Sequence, residues 1–243
     1  MIQPILFADD DSLSRAALSW LVERLRQRPS SLVCLAAGGT PTATYRLLAQ
    51  CGRSDPALVA QLRLVQLDEW GGLAGDDPAS CQRQLREQLI EPLGLVDRFV
   101  TFDGQAEDPP AECSRVAAWL AKHGPIDLCV LGLGLNGHLG FNEPADGLSS
   151  HAHVASLSAT SLQHAMIGGS SHKPTYGLTL GMADILQGRE VLLLVSGARK
   201  AGPLQRLLSG PISTDFPASL LHGHPSVALY CDASAAGEPI DRK

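Results

Sequence analysis

Leu32-Val33-Cys34-Leu35-Ala36-Ala37-Gly38-Gly39-Thr40-Pro41 is the stretch on which the fold turns. Six consecutive apolar residues show no amphipathic period, so they suit a short strand buried on both faces. Gly38 and Gly39 end the run. Thr40 then reads as a helix N-cap and Pro41 as a first helical residue, with a helix continuing through Tyr45-Arg46-Leu47-Leu48. Outward from this unit the same grammar recurs. Ser12 to Arg28 carries apolar residues at helical spacing (Leu13, Ala16, Ala17, Trp20, Leu21, Leu25). Leu62 to Leu67, Ile126 to Leu133, Val191 to Val195 and Ser226 to Cys231 are further apolar strands. Helical patterns lie between them at 81–90, 112–123 and 200–209. Strands alternating with helices in this way make βαβ units. The predicted architecture is α/β: an open, mainly parallel, doubly wound (Rossmann-like) sheet with helices on both faces, formed by residues 1–243 as one domain.

Composition narrows the function. Apolar residues are 44% and charged residues 18% of 243, which excludes a disordered or fibrous chain. The net charge of −6 and the lack of a Lys/Arg run argue against a nucleic-acid partner. No apolar run approaches the roughly 20 residues that span a bilayer, and the N-terminus lacks the pattern of a secretory signal. The six cysteines are scattered, with no Cys-x-x-Cys pair to suggest a zinc or redox site. A reduced, cytoplasmic protein without membrane partners or metal is the expectation. Glycine is plentiful, at 24 residues, and several cluster at the ends of the apolar strands.

Ligands of open α/β sheets bind at the carboxyl ends of the strands, and the unusual residues collect there. Gly38-Gly39-Thr40 offers close backbone approach and free N–H groups, features that suit a phosphate as well as a plain tight turn. Asp68 and Glu69 close a strand, and adjacent side chains on extended backbone face opposite ways. One can face a cleft as a general base while the other caps a helix or pairs with an arginine. Gly134-Leu135-Asn136-Gly137-His138 brings an imidazole into a glycine-rich loop, with Glu143 five residues on to orient it. Gly132, Gly134 and Gly137 match a dinucleotide fingerprint formally, but no helix clearly follows and Pro144 interrupts. Lys200, one of four lysines, follows Ser196-Gly197 and suits a phosphate contact.

Three segments together carry a family resemblance: Leu35 to Pro41, Leu67-Asp68-Glu69-Trp70, and Leu131 to Pro144 with its Gly-His-x-x-Phe-Asn-Glu-Pro end. They resemble the glucosamine-6-phosphate isomerase/6-phosphogluconolactonase superfamily over residues of about 10 to 232, and within it the amino-sugar-phosphate deaminases. Leu-Asp-Glu-Trp and Leu-Gly-Leu-Gly-x-Asn-Gly-His look most like the galactosamine-6-phosphate type. The resemblance implies conversion of an amino-sugar 6-phosphate to a ketose 6-phosphate and ammonia without metal or cofactor. Galactosamine 6-phosphate giving tagatose 6-phosphate is the first expectation. Glucosamine 6-phosphate giving fructose 6-phosphate, or hydrolysis of a sugar lactone, are the alternatives. It further implies that Asp68 shuttles the C2 proton, that His138 with Glu143 opens the sugar ring, and that Gly38, Gly39, Thr40 and Lys200 hold the phosphate.

Two departures stand out. The glucosamine enzymes have an aspartate where this chain has Asn136, and an asparagine can orient the imidazole but gives it less electrostatic support. The arginine expected at about 160–170 is missing, with His164 or Lys173 as replacements. The chain also ends soon after its last strand, which by the same resemblance suggests a monomer or small homo-oligomer.

Overall fold

The computed structural model describes residues 2–170 and 172–237. Seven strands form the main sheet: β1 (Pro4–Phe7), β2 (Leu32–Leu35), β3 (Arg63–Gln66), β5 (Phe99–Val100), β6 (Leu128–Gly132), β9 (Glu190–Val195) and β10 (Val227–Asp232). Their order is β1-β10-β9-β6-β2-β3-β5, and every pair is parallel. A second, antiparallel sheet has the order β4-β8-β7, from β4 (Asp68–Trp70), β8 (Tyr176–Thr179) and β7 (His153–Ser156).

The continuous apolar runs are explained by the two layers they face. Val33, Leu35, Leu128, Val130, Leu192 and Leu194 pack with α1 (Asp10–Gln27) and α2 (Thr42–Ser54) on one side. Their neighbours Leu32, Cys34, Cys129, Leu131, Val191 and Leu193 pack on the other, with α4 (Pro109–His123), α5 (Met182–Leu186), α6 (Ala201–Ser209) and α7 (Ala233–Ala236). Alternate residues of one strand thus enter different cores, so the runs are almost wholly apolar, and buried polar residues such as Gln66 fall at strand ends. The expected doubly wound sheet is what forms.

From β2 the chain adds strands outward through β3 and β5. From β6 it adds them the other way, through β9 and β10. The order reverses between β2 and β6, and the loops leaving their carboxyl ends diverge around a crevice.

Three local expectations need correction. Thr40 does not cap α2: the N-cap is Pro41, and the helix begins at Thr42 without a side-chain cap. Asp68 and Glu69 do not close the strand before them: β3 ends at Gln66, and Asp68 starts β4 of the second sheet. The 81–90 segment is α-helical only as α3 (Cys81–Leu85), and a single π-turn follows over Arg86–Ile90.

Candidate active site

A cleft of about 500 Å³ lies at the crevice, lined by Gly38, Gly39, Thr40, Asp68, His138 and Lys200 among others. The four sequence groups therefore meet in one place. His164 also lines the cleft, whereas Lys173 does not.

Asp68 and Glu69 separate as extended backbone requires. Asp68 is partly exposed to the cleft; its main-chain carbonyl accepts from Gln66 Nε2 at 2.8 Å, whereas its carboxylate accepts no hydrogen bond from the described residues. Burial, reinforced by the Glu69 charge, raises its pKa to about 7. Glu69 points away and is fully enclosed. It accepts hydrogen bonds from the main-chain N–H groups of Trp70 (2.8 Å), Cys81 (2.9 Å) and Gln82 (2.8 Å), from Ser80 Oγ (2.8 Å) and from Gln66 Nε2 (3.0 Å). Burial still leaves its pKa above the ordinary value despite these bonds. Glu69 is thus a structural carboxylate that satisfies the start of α3.

α3 in turn braces the glycine loop. Gln84 accepts from the Gly38 N–H at 2.8 Å and donates to the Gly38 carbonyl at 3.0 Å. Tyr45 Oη donates to Ala36 O at 2.9 Å. Gly38 therefore cannot donate its amide to a ligand, which corrects its expected part in the cradle. Gly39 and Thr40 have N–H groups without partners among the described residues. Across the cleft, Lys200 Nζ donates to Leu133 O at 2.5 Å, tying the loop after β9 to the one after β6. Burial and the neighbouring Arg199 lower its pKa. The loop after β9 is fixed from below by Asp232, which accepts from Ser196 Oγ (2.6 Å) and the Gly197 N–H (3.0 Å).

His138 lines the cleft, with Glu143 behind it. The His138 Nδ1–Glu143 Oε2 distance is 3.5 Å. Asn136 Nδ2 donates to Glu143 Oε2 at 2.7 Å, and Asn136 Oδ1 accepts from the His138 main-chain N–H at 3.2 Å. Asn136 therefore orients the carboxylate and the loop, not the imidazole ring as expected from sequence. Ser161 Oγ and the Ser158 N–H also donate to Glu143 Oε1, the latter at 3.3 Å. Burial pushes the Glu143 pKa up, but the interactions with His138, Ser161 and Asn136 outweigh it and hold the group at about 2. Glu143 is anionic at neutral pH. The loop needs its glycines for space: a Cβ on Gly134 would lie 2.4 Å from His138 Cδ2, and Gly137 (φ +88°) lies where a Cβ would strike the Phe216 ring.

The segment after β7 roofs the cleft with Thr160, Ser161, Gln163, His164 and Met166. His164 is solvent-exposed at the mouth. Partial desolvation, with the nearby charges of Lys200, His138 and Arg199, lowers its pKa. Sequence reasoning missed Ser158, Ser161 and Arg199. Arg199 adjoins Lys200 and was legible as a second cation, whereas two serines in a polar loop carry no signal of their own. Among the described residues no group of His, Cys, Asp and Glu is arranged to hold a metal ion, and no helix is long and apolar enough to cross a membrane.

This geometry has relatives. Residues 8–229 match the family described as glucosamine-6-phosphate isomerases/6-phosphogluconolactonase. An Escherichia coli K12 protein named "Putative deaminase AgaI" is 42% identical over 214 residues, covering 88% of this chain and 85% of its own. Glucosamine-6-phosphate deaminase 1 of Bacillus subtilis is 35% identical, with 93% and 95% covered. A solved structure described as a monomeric glucosamine-6-phosphate deaminase superposes with a TM-score of 0.92 at 34% identity, covering 98% of this chain and 100% of its own. The 6-phosphogluconolactonase of Trypanosoma brucei, at 23% identity and a TM-score of 0.76, shares the fold. The chain belongs to the glucosamine-6-phosphate isomerase/6-phosphogluconolactonase family.

Proposed function

We propose that the protein converts an amino-sugar 6-phosphate to a ketose 6-phosphate and ammonia, with galactosamine 6-phosphate as the preferred substrate and tagatose 6-phosphate as the product. The observation that carries this reading is Asp68: an unbonded carboxylate titrating near 7, facing the same cleft as the His138–Glu143 pair. A carboxylate with that pKa is both a competent base and a competent acid near neutrality.

The phosphate sits between the N–H groups of Gly39 and Thr40 and the ammonium of Lys200, with Arg199 and His164 at the mouth. His138, paired with anionic Glu143, moves the proton that opens the pyranose ring. Asp68 then takes the C2 proton of the open-chain aldose and returns it to C1. The resulting 2-imine is hydrolysed: water adds at C2, the C2–N bond breaks, and ammonia leaves with the ketone formed.

Support for the deaminase chemistry over lactone hydrolysis comes from identity, since the relatives named as deaminases are 33–42% identical and the lactonase neighbours 16–23%. The galactosamine preference rests on the Leu67-Asp68-Glu69-Trp70 and Leu131 to His138 segments. Ammonia release is measured from galactosamine 6-phosphate and from glucosamine 6-phosphate. A higher kcat/KM for the galactosamine compound is expected. Release from the glucosamine compound alone removes the substrate assignment, and release from neither removes the activity. The monomeric structural relative supports a monomer or small homo-oligomer, for which light scattering is the direct measurement.

A further inference from the structure

The Glu143 carboxylate is held from two sides. Asn136, on its own loop, donates to Oε2. The second side is the roof of the cleft, a segment remote in sequence. There Ser158 supplies a main-chain N–H and Ser161 a hydroxyl, both to Oε1. Ser161 is 2% exposed, its main-chain N–H donates to Ser158 Oγ at 3.1 Å, and its hydroxyl also lies 3.5 Å from His138 Nδ1. Among the described residues it is the one hydrogen-bonded to both members of the His138–Glu143 pair that itself lines the cleft. Its neighbours Thr160 and Gln163 line the cleft beside it.

We propose that Ser161 is a positioning residue for proton transfer by His138: its hydroxyl, delivered by the roof segment, fixes Glu143 against the imidazole, so that the ring-opening pair is complete only when the roof is seated. The inference rests on the ring-opening role given to His138 above. A hydroxyl suits the place because it donates to the carboxylate while its lone pairs face the imidazole. Donation to an anion is also among the stronger hydrogen bonds.

The test compares Ser161→Ala and Ser161→Thr with the parent protein. It uses kcat and KM for ammonia release, and a 13C NMR titration of the Glu143 carboxyl assigned with Glu143→Gln. For Ser161→Ala, kcat falls about tenfold with KM within about twofold, and the Glu143 titration moves up by about one pH unit. Ser161→Thr, which keeps the hydroxyl, stays within about threefold of the parent in kcat. Should Ser161→Ala not fold, Ser161→Cys, with a weak donor of similar size, takes its place. An unchanged kcat overturns the proposal. So does a loss confined to KM with an unmoved Glu143 titration, which would make Ser161 an anchor of the roof only. If the parent protein releases no ammonia from either sugar phosphate, the proposed activity fails, and the carboxyl titration alone decides whether Ser161 holds Glu143.

Discussion

The two sheets of this molecule divide the work of one site. The seven-stranded parallel sheet contributes backbone and cation: the loop after β2 with its Gly39 and Thr40 amides, the loop after β6 with His138, and the loop after β9 with Lys200. The three-stranded antiparallel sheet contributes Asp68, the proposed base, from its first strand. The large sheet is buried on both faces and is rigid by packing. The small one packs Trp70 and Ala155 in a separate apolar cluster with Phe141, and its first strand is further tied to α3 by the bonds that Glu69 accepts. Asp68 is thereby fixed beside a carboxylate already satisfied by five donors, while its own carboxylate has no donor among the described residues. That contrast raises the basicity of Asp68 and leaves Glu69 structural. Glu69 also links the sheets, because α3, which it caps, carries the Gln84 that clamps Gly38.

The contrast breaks most visibly at Asp68. Asp68→Asn is expected to lower kcat about 10³-fold with KM within about threefold, read by steady-state ammonia release. It should also make the protein more stable at pH 8. With a folded pKa near 7 against an ordinary 3.8, Asp68 binds its proton more tightly when folded, so stability is lost as pH rises through that window and the cost is complete above 7. Removing the charge returns on the order of 1–2 kcal/mol at pH 8, seen as a higher Tm, and little at pH 4.

Lys200, on the large sheet, is given a binding role, so Lys200→Ala is expected to raise KM about 50-fold with a smaller change in kcat. A mainly kcat effect would instead move Lys200 into the chemistry. The pH profile sharpens the Asp68 side. As pH falls below about 7 the carboxylate is protonated, and kcat/KM should fall about tenfold per unit in buffers of constant ionic strength. The smallest effect on rate belongs to Glu69→Gln. Its amide NH₂ opposes donors, costing about 2 kcal/mol of stability by urea unfolding, while kcat at 25 °C stays within about threefold.

The same division governed what could be read in advance. Strands β2, β3, β6, β9 and β10 were legible because a strand facing two cores is apolar along most of its length. β4, β7 and β8 were not. Asp68-Glu69-Trp70 is charged because it builds a site, and Tyr176-Gly177-Leu178-Thr179 holds a glycine where a Cβ would strike the Phe141 ring. Their pairing, Asp68 with Thr179 and His153 with Thr179, is settled by partners far along the chain. β1 was missed because its edge position leaves Ile5 and Leu6 half exposed. At the site, Asp68, His138, Glu143 and Lys200 were legible from residue type at strand ends. The roof was not, since Ser158 and Ser161 gain their meaning from a carboxylate on another segment. Gly38 was misread because its amide is taken by Gln84, a residue on a helix that no local pattern ties to it.

The proposed role of Asp68 is to carry the C2 proton of an amino-sugar phosphate. It is tested most directly by turnover of galactosamine 6-phosphate in D₂O, with deuterium followed by NMR at C2 of the recovered substrate and at C1 of the ketose. Deuterium is expected at those positions with the parent protein, and neither exchange nor ammonia with Asp68→Asn. Ammonia released by Asp68→Asn at the parent rate would contradict that role.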